Sequence, residues 1–162
     1  SDVYKRQVTT AENLALCVLV ADCVPVLLAD PYAKVIAAVH AGRIGARNGI
    51  VKNTVEEMLK LGAAAGSIHA LLGPAAAGES YEVPQEMAED VENHLPGSKT
   101  RTKKGTPGID VRAGLIRQLL SLGVTRIDAH PADTITDETF FSYRREKETG
   151  RQAGVIWLTG VK

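Results

Sequence analysis

The chain has 162 residues, of which 44% are hydrophobic, and this is enough to bury the core of one domain. Its 19 basic and 19 acidic residues give a formal net charge of zero, whereas nucleic-acid-binding proteins usually carry a basic excess. No apolar run approaches the roughly 20 residues of a membrane span. The two cysteines, Cys17 and Cys23, lie too far apart along an extended chain to bond, so we expect reduced thiols in a cytoplasmic protein.

The first half of the chain predicts three strands, a helix and a fourth strand. Residues 14–21, 24–29 and 34–40 are short apolar runs rich in β-formers, and Pro25 is typical of an edge strand or a strand start. Residues 46–61 have the helical spacing of Val51, Val55 and Met58, with Gly62 as a C-cap. Residues 67–72 predict the next strand.

The second half continues the alternation of helices and strands. Residues 84–95 predict an amphipathic helix, residues 97–107 a polar loop, and Asp110 the N-cap of a helix that ends at Gly123. Residues 124–129 and 153–159 predict strands, and residues 136–141 a helical turn. The pattern indicates a single α/β domain in which a mixed sheet is sandwiched by helices.

Cys23 and His40 stand at the ends of two strand-like runs, where α/β proteins commonly place their ligands. Cysteine and histidine are frequent metal ligands, nucleophiles and bases. The alternative for Cys23 is an ordinary small buried side chain. The glycine-rich turn after His40 can expose amides to an anion such as phosphate, and Arg43 and Arg47 are candidates to clamp it.

Two later segments also carry candidate binding residues. Tyr81 lies in a glycine-rich loop that follows a strand. Tyr143 and Arg144 lie in residues 140–151, where aromatic side chains cluster with arginines. A stacking face beside guanidinium groups suits a purine or a phosphate, although an amphipathic surface segment without a ligand fits the same pattern.

Several motifs in one order resemble the laccase-domain family. They are ADCVPVLLADP at residues 21–31, VHAG at 39–42, GPA and YEVP between 73 and 84, and FFSYRRE and TGR between 140 and 151. This family was once described as multicopper polyphenol oxidases and is now understood as purine nucleoside phosphorylases with adenosine deaminase activity. The similarity extends over nearly the whole chain.

The resemblance implies a catalytic zinc site made of two histidines and a cysteine. Cys23 and His40 match two of the ligands, and the third belongs to a Gln-Val-His motif upstream of this chain. Residues 8–162 are therefore interpreted as a domain that lacks its first part, and residues 1–7 as foreign sequence. The implied reaction is phosphorolysis of adenosine, inosine, guanosine or methylthioadenosine to the free base and ribose 1-phosphate, together with adenosine deamination.

The hypothesis of a zinc-dependent purine nucleoside enzyme assigns roles to individual residues. Cys23, His40 and Arg43 are expected to be catalytic, and the residues expected to bind the purine nucleoside and phosphate are Arg47, Tyr81, Tyr143 and Arg144. Some positions depart from the family pattern. His-Ala-Gly-Trp-Arg-Gly reads His-Ala-Gly-Arg-Ile-Gly at residues 40–45, a cysteine before Tyr81 is missing, and a Cys-Thr pair reads Asp-Thr at residues 133–134.

Three alternatives stay open at this point. A cysteine hydrolase would use Cys23 as nucleophile and His40 as base. A copper polyphenol oxidase would need several clustered ligands, which four scattered histidines do not readily supply. With one zinc ligand missing, the chain could also be an inactive fragment. The sequence does not indicate an oligomeric state.

Overall fold

A computed structural model describes residues 5–160 of the chain. The strands are β1 (Arg6–Thr9), β2 (Leu16–Val20), β3 (Val24–Asp30), β4 (Val35–Ala41), β5 (His69–Leu72), β6 (Lys99–Arg101), β7 (Pro107–Ile109), β8 (Arg126–Ala129) and β9 (Gln152–Ile156). The helices are α1 (Arg43–Arg47), α2 (Ile50–Lys60), α3 (Gln85–His94), α4 (Val111–Ser121) and α5 (Tyr143–Glu146), with a 3₁₀ turn at Ala65–Ser67.

The main sheet has five strands in the order β1-β4-β3-β5-β8. The pairs β1–β4, β3–β4 and β3–β5 are antiparallel, whereas β5–β8 is parallel because α3 and α4 lie in the connection between them. The predicted α/β class with a mixed sheet is therefore confirmed. In the β3–β4 register Val24 pairs with Ala41 and Pro25 with His40.

One face of this sheet carries the main core. Alternate residues of β3 and β4, among them Val26, Leu28 and Val39, are fully buried against the helices. Helix α2 presents Val51, Val55 and Met58 to them, in agreement with the predicted helical face. Each fully buried aliphatic side chain contributes about 1.5–3 kcal/mol relative to an exposed one, so this face is the main source of stability.

The opposite face is covered by a two-stranded ribbon rather than by further helices. Strands β2 and β9 pair antiparallel, and their inward residues Leu16, Val18 and Ile156 pack on Ile36 and Ala38 of β4. The outward residues of the ribbon, such as Leu19 and Val155, are exposed. Helices α1–α4 contribute buried side chains to the first face, so helices pack on that face and the ribbon packs on the other, rather than helices on both faces.

Local differences from the sequence prediction have identifiable causes. The helix predicted over residues 46–61 is two helices, because Gly49 adopts a left-handed conformation with φ of 81° and ends the first at Asn48. The loop predicted over residues 97–107 contributes to the β6–β7 hairpin, whose strands of three residues are too short to show a period. Pro25 lies at the start of β3, which confirms the interpretation as a strand start, and β3 is central in the sheet.

The turns near α5, the first strand and the two cysteines complete the description of the chain. Residues 136–141 form turns, and the short helix α5 follows them. Arg6 and Gln7 pair with β4, so the sheet begins before Val8, while residues 1–4 of the segment interpreted as foreign lie outside the described residues. Cys17 and Cys23 are not joined by a disulfide bond. No helix between residues 5 and 160 is long and apolar enough to cross a membrane.

Candidate functional site at the end of the sheet

A cavity of about 380 Å³ opens where β3 begins and β4 ends. Its wall combines the turn before β3, the start of α1, the loop that carries Tyr81, the first residue of α4 and the region of α5. Cys23, Arg43, Tyr81, Tyr143 and Arg144 all line it. The structure thus brings together five residues that the sequence places as far apart as 23 and 144.

Cys23 and His40 are neighbours across the β3–β4 pair. His40 is paired with Pro25, and Cys23 lies in the bend that directly precedes β3, beside Gly42, which follows β4. Cys23 lines the cavity, whereas His40 does not. A β-carbon at Gly42 would lie only 2.9 Å from the Cys23 sulfur, so a glycine is required beside the thiol.

Tyr81 is held between two arginines. The Arg144 guanidinium lies over its ring, 4.6 Å from the centroid, and Arg43 forms a hydrogen bond with its side chain. Burial raises the pKa of the Tyr81 phenol above its ordinary value, since the lowering effects of Arg144 and Arg43 are smaller and the Cys23 charge adds to the rise. Tyr81 is therefore a neutral phenol at neutral pH, and it can donate a hydrogen bond.

Asp22 ties α5 to the turn that carries Cys23. Its carboxylate accepts hydrogen bonds from the Thr134 hydroxyl and from the Arg144 backbone N–H, both at 2.7 Å. Its own backbone is left-handed, with φ of 81°, which is uncommon for a residue other than glycine. Arg144 also donates from Nη1 to the Glu82 carbonyl at 2.7 Å. These contacts fix the arginine at the cavity.

Asp133 organises the loops behind the cavity. Its buried carboxylate accepts hydrogen bonds from the Ser80 hydroxyl at 2.5 Å, from the Ala77 and Ile135 backbone N–H groups, and from the Thr136 hydroxyl. Burial raises the pKa of Asp133, but these donors outweigh it and the pKa lies below its ordinary value.

Arg47 requires a correction. It was expected to bind substrate, but it lies outside the cavity, and its Nε and Nη2 donate to the Asp90 carboxylate of α3 at 2.6 and 2.7 Å. This bidentate pair joins α1 to α3. Helix α1 also has only five residues, so its aligned peptide dipoles attract an anion only weakly.

Two charged residues of the cavity wall are not among the candidates that the sequence indicates. Asp22 and Lys147 both line the cavity and both have a positive φ, 81° and 61° respectively. Glycine is the residue type that clearly favours a positive φ. Aspartate favours it only weakly and lysine does not, so the sequence does not predict either conformation. The position of Asp22 beside Cys23 was the one available hint.

The histidines other than His40 lie away from the cavity. His69 contacts Asp128 at 2.6 Å, His94 contacts the Asp90 carbonyl at the end of α3, and His130 contacts Phe140 edge to face at 5.8 Å. Across residues 5–160, no three His, Cys, Asp or Glu side chains are grouped so that they could hold a metal ion. Cys23 and His40 remain a pair of adjacent donors.

Known proteins share both the sequence and the fold. Residues 6–159 match the family model described as multi-copper polyphenol oxidoreductase laccase. A protein of Corynebacterium glutamicum named purine nucleoside phosphorylase is 67% identical over 93% of this chain and 61% of its own length. A protein of the same name from Mycobacterium tuberculosis is 55% identical over 93% of this chain and 60% of its own.

Solved structures agree with these matches. The crystal structure of the hypothetical protein YfiH from Bacillus licheniformis has a TM-score of 0.86 at 28% identity and covers 95% of this chain and 61% of that one. The structure of YlmD from Geobacillus stearothermophilus also has a TM-score of 0.86 at 28% identity, and it covers 97% and 62%. The chain therefore spans about three fifths of the length of the relatives that it matches.

The family model covers nearly all of the described residues, and the solved structures share the fold. The resemblance inferred from the motifs is thereby confirmed. The chain belongs to the multi-copper polyphenol oxidoreductase laccase family.

Proposed function

We propose that the cavity binds a purine nucleoside together with phosphate, and that the protein acts as a purine nucleoside phosphorylase. The observation that carries this proposal is the gathering of Arg43, Arg144 and Lys147 around one cavity that also presents an aromatic ring. The names of the Corynebacterium and Mycobacterium relatives support it. Adenosine, inosine, guanosine and methylthioadenosine are the substrates to compare.

Phosphate is the ligand that suits the positive side of the cavity. Guanidinium and ammonium groups form short, charge-assisted hydrogen bonds with phosphate oxygens. In phosphorolysis a phosphate oxygen forms a bond to the anomeric carbon of ribose, and the bond from that carbon to the purine nitrogen breaks. The bonding electrons leave with the purine, which takes up a proton, and ribose 1-phosphate remains. Fixed cations would orient the attacking phosphate.

The purine base suits the aromatic side of the cavity. The Tyr143 side chain is 56% exposed and lines the opening, whereas one face of the Tyr81 ring is covered by Arg144. Ala76 and Val111 add apolar surface to the wall. We therefore assign base stacking to Tyr143, and we assign to the neutral Tyr81 hydroxyl a hydrogen bond to the ligand.

Zinc is the metal that we propose for Cys23 and His40. A thiolate and an imidazole on adjacent strand ends are a suitable donor pair, and a catalytic zinc site has three protein ligands. The third would come from outside the described residues, in the part of the relatives that this chain does not cover. When bound, zinc acts as a Lewis acid, and the proposed adenosine deamination rests on that chemistry.

A cysteine hydrolase is the second candidate, and the observation that favours it is the position of Cys23 in the cavity wall. Its base would be His40 on the neighbouring strand. Metal analysis and chelation separate the two candidates. Stoichiometric zinc, and activity that is lost to a chelator and restored by zinc, count against the hydrolase. Activity that persists without metal counts against zinc.

The phosphorylase proposal is tested by hypoxanthine release from inosine with and without phosphate. The assay uses the 162-residue chain alone and the chain joined to the part of the Corynebacterium relative outside the match. We expect phosphate-dependent release by the joined protein and little by the chain alone. Cys23→Ala should remove zinc and turnover together, while Arg47→Ala, outside the cavity, serves as the control. Absence of phosphate-dependent release by the joined protein overturns the proposal.

A further inference from the structure

Lys147 occupies an unusual backbone conformation at the rim of the cavity. Its φ of 61° and ψ of −56° correspond to the centre of a classic γ-turn. The Glu148 N–H donates to the Glu146 carbonyl at 2.7 Å, which is the hydrogen bond that closes such a turn. Classic γ-turns are rare and strained, and a residue with a β-carbon adopts one at a cost in folding free energy.

The contacts around Lys147 hold this strained turn in place. Its N–H donates to the Tyr143 carbonyl at 2.7 Å, and the Ser142 hydroxyl caps α5 by accepting from the Arg145 N–H at 3.2 Å. Asp22 holds the Arg144 N–H from the other side. The neighbouring residues therefore hold the turn in its strained conformation. In this conformation the Lys147 side chain lines the cavity. Strained residues held in this way are concentrated at functional sites.

The charge of Lys147 differs from that of the two cavity arginines. Arg43 is hydrogen-bonded to the Tyr81 side chain. Arg144 donates a hydrogen bond to the Glu82 carbonyl and lies over the Tyr81 ring. Among residues 5–160, by contrast, no side chain or carbonyl forms an ion pair or hydrogen bond with the Lys147 ammonium. The neighbouring Glu146 carboxylate pairs with Arg145 at 3.3 Å. Lys147 thus presents an uncompensated positive charge to the opening.

We propose that Lys147 contacts the phosphate co-substrate at the rim of the cavity and contributes to the specificity for that anion. This inference rests on the proposed phosphorylase function, because it names a residue of the same site. The strained turn, the position in the cavity wall and the uncompensated charge support it independently of one another.

The test measures binding of inorganic phosphate to the 162-residue chain by calorimetry, together with thermal unfolding. Lys147→Met removes the charge and keeps the strained backbone, whereas Lys147→Gly removes both. We expect each to weaken phosphate binding by about tenfold or more. Only Lys147→Gly should raise the unfolding temperature, by about 2–4 °C, because glycine adopts the turn without strain.

Lys34 provides matched controls, since it also has a positive φ, 54°, but does not line the cavity. Lys34→Gly should raise the unfolding temperature, and neither Lys34→Gly nor Lys34→Met should change phosphate binding. The proposal is overturned if Lys147→Met binds phosphate within twofold of the unchanged chain, or if the unchanged chain does not bind phosphate. An unfolding temperature of Lys147→Gly that does not rise counts against the strain argument.

Inosine cleavage by the joined protein separates this proposal from the phosphorylase proposal. If Lys147→Met cleaves inosine with an unchanged KM for phosphate, the role of Lys147 is wrong and the phosphorylase function stands. If phosphate binding depends on Lys147 but cleavage never depends on phosphate, the phosphorylase function is wrong and the anion contact stands.

Discussion

The core on the helix side of the sheet and the cavity at its end are built in different ways. The core consists of aliphatic side chains in regular elements, such as Leu28 and Met58, which are fully buried. The cavity depends instead on left-handed residues, Asp22 and Lys147, and on the buried carboxylate of Asp133 behind it. Stability and ligand binding therefore have largely separate residues, and variants can test each region alone.

The largest expected effect is on the core. Leu28→Ala should lower the free energy of unfolding by about 2–5 kcal/mol, because it leaves a cavity in a closely packed region. Leu14→Ala, at a side chain that is 50% exposed, should change it by less than about 0.5 kcal/mol. Urea unfolding measures both. If Leu28→Ala, kept folded at low temperature, changes phosphate affinity more than twofold, the two regions are not separate.

A smaller effect is expected at the carboxylate behind the cavity. Asp133→Asn should cost about 1–3 kcal/mol, because the amide is a poorer acceptor for the Ser80 hydroxyl and the Ala77 and Ile135 N–H groups. Asp137→Asn, at a turn carboxylate of the same region, is the control and should cost less. Equal losses in the two variants would argue against a special role for Asp133.

The same carboxylate predicts a pH dependence. Burial raises the pKa of Asp133, but its hydrogen-bond donors hold it below the ordinary value of 3.8. The stability that Asp133 contributes is therefore fully present above 3.8 and is lost as the pH falls through the lower pKa of the folded protein. Unfolding free energies measured from pH 7 to pH 2 should converge for Asp133→Asn and the unchanged chain. A constant difference down to pH 2 would contradict this expectation.

Variants of Asp22 test whether phosphate binding at the cavity depends on the hydrogen bonds that Asp22 accepts from Thr134 and Arg144. Asp22→Ala should lower stability by about 1–2 kcal/mol, because it removes acceptors from Thr134 and Arg144. It should also weaken phosphate binding by more than the small unfolded fraction of the protein would explain. Asp22→Asn, which tolerates the left-handed backbone, should have a milder effect. Unchanged phosphate affinity in Asp22→Ala would show that Arg144 does not need this anchor.

The smallest effect on stability is expected at the surface of α1, where two arginines of one helix differ. Arg47→Ala should lower stability by at most about 1 kcal/mol and leave phosphate affinity unchanged, because its partner is Asp90. Arg43→Ala should weaken phosphate binding while changing stability little. Titration calorimetry compares the two variants, and equal phosphate affinities would remove Arg43 from the site.

The two regions also differ in how far the sequence predicts them. The core follows from periodicity, and the cap of α4 is confirmed, since Asp110 accepts a hydrogen bond from the Ala113 N–H at 2.9 Å. The break at Gly49 and the β6–β7 hairpin were missed, because a left-handed glycine and strands of three residues do not alter the hydrophobic period. The local hydrophobic pattern of the sequence therefore predicts the helices and strands better than the points at which they are interrupted.

The cavity is predictable only where residue chemistry is distinctive. Tyr143 and Arg144 stood out in a chain with few aromatic residues, and both line the cavity. Arg47 was assigned to the same site as Arg43, but Asp90 of α3, remote in sequence, takes its guanidinium. The strained turn at Lys147 depends on contacts with Tyr143 and Ser142 that become visible only in three dimensions. Which side chain an arginine pairs with, and where the backbone is strained, both depend on the tertiary structure.

The central claim is that this cavity uses phosphate to cleave a purine nucleoside. Phosphorus nuclear magnetic resonance on inosine and phosphate, with the chain joined to the part of its Corynebacterium relative that lies outside the match, tests it most directly. We predict that ribose 1-phosphate accumulates in proportion to hypoxanthine, and that Arg144→Ala slows the formation of both. Hypoxanthine released with free ribose, at a rate independent of phosphate, would contradict the claim.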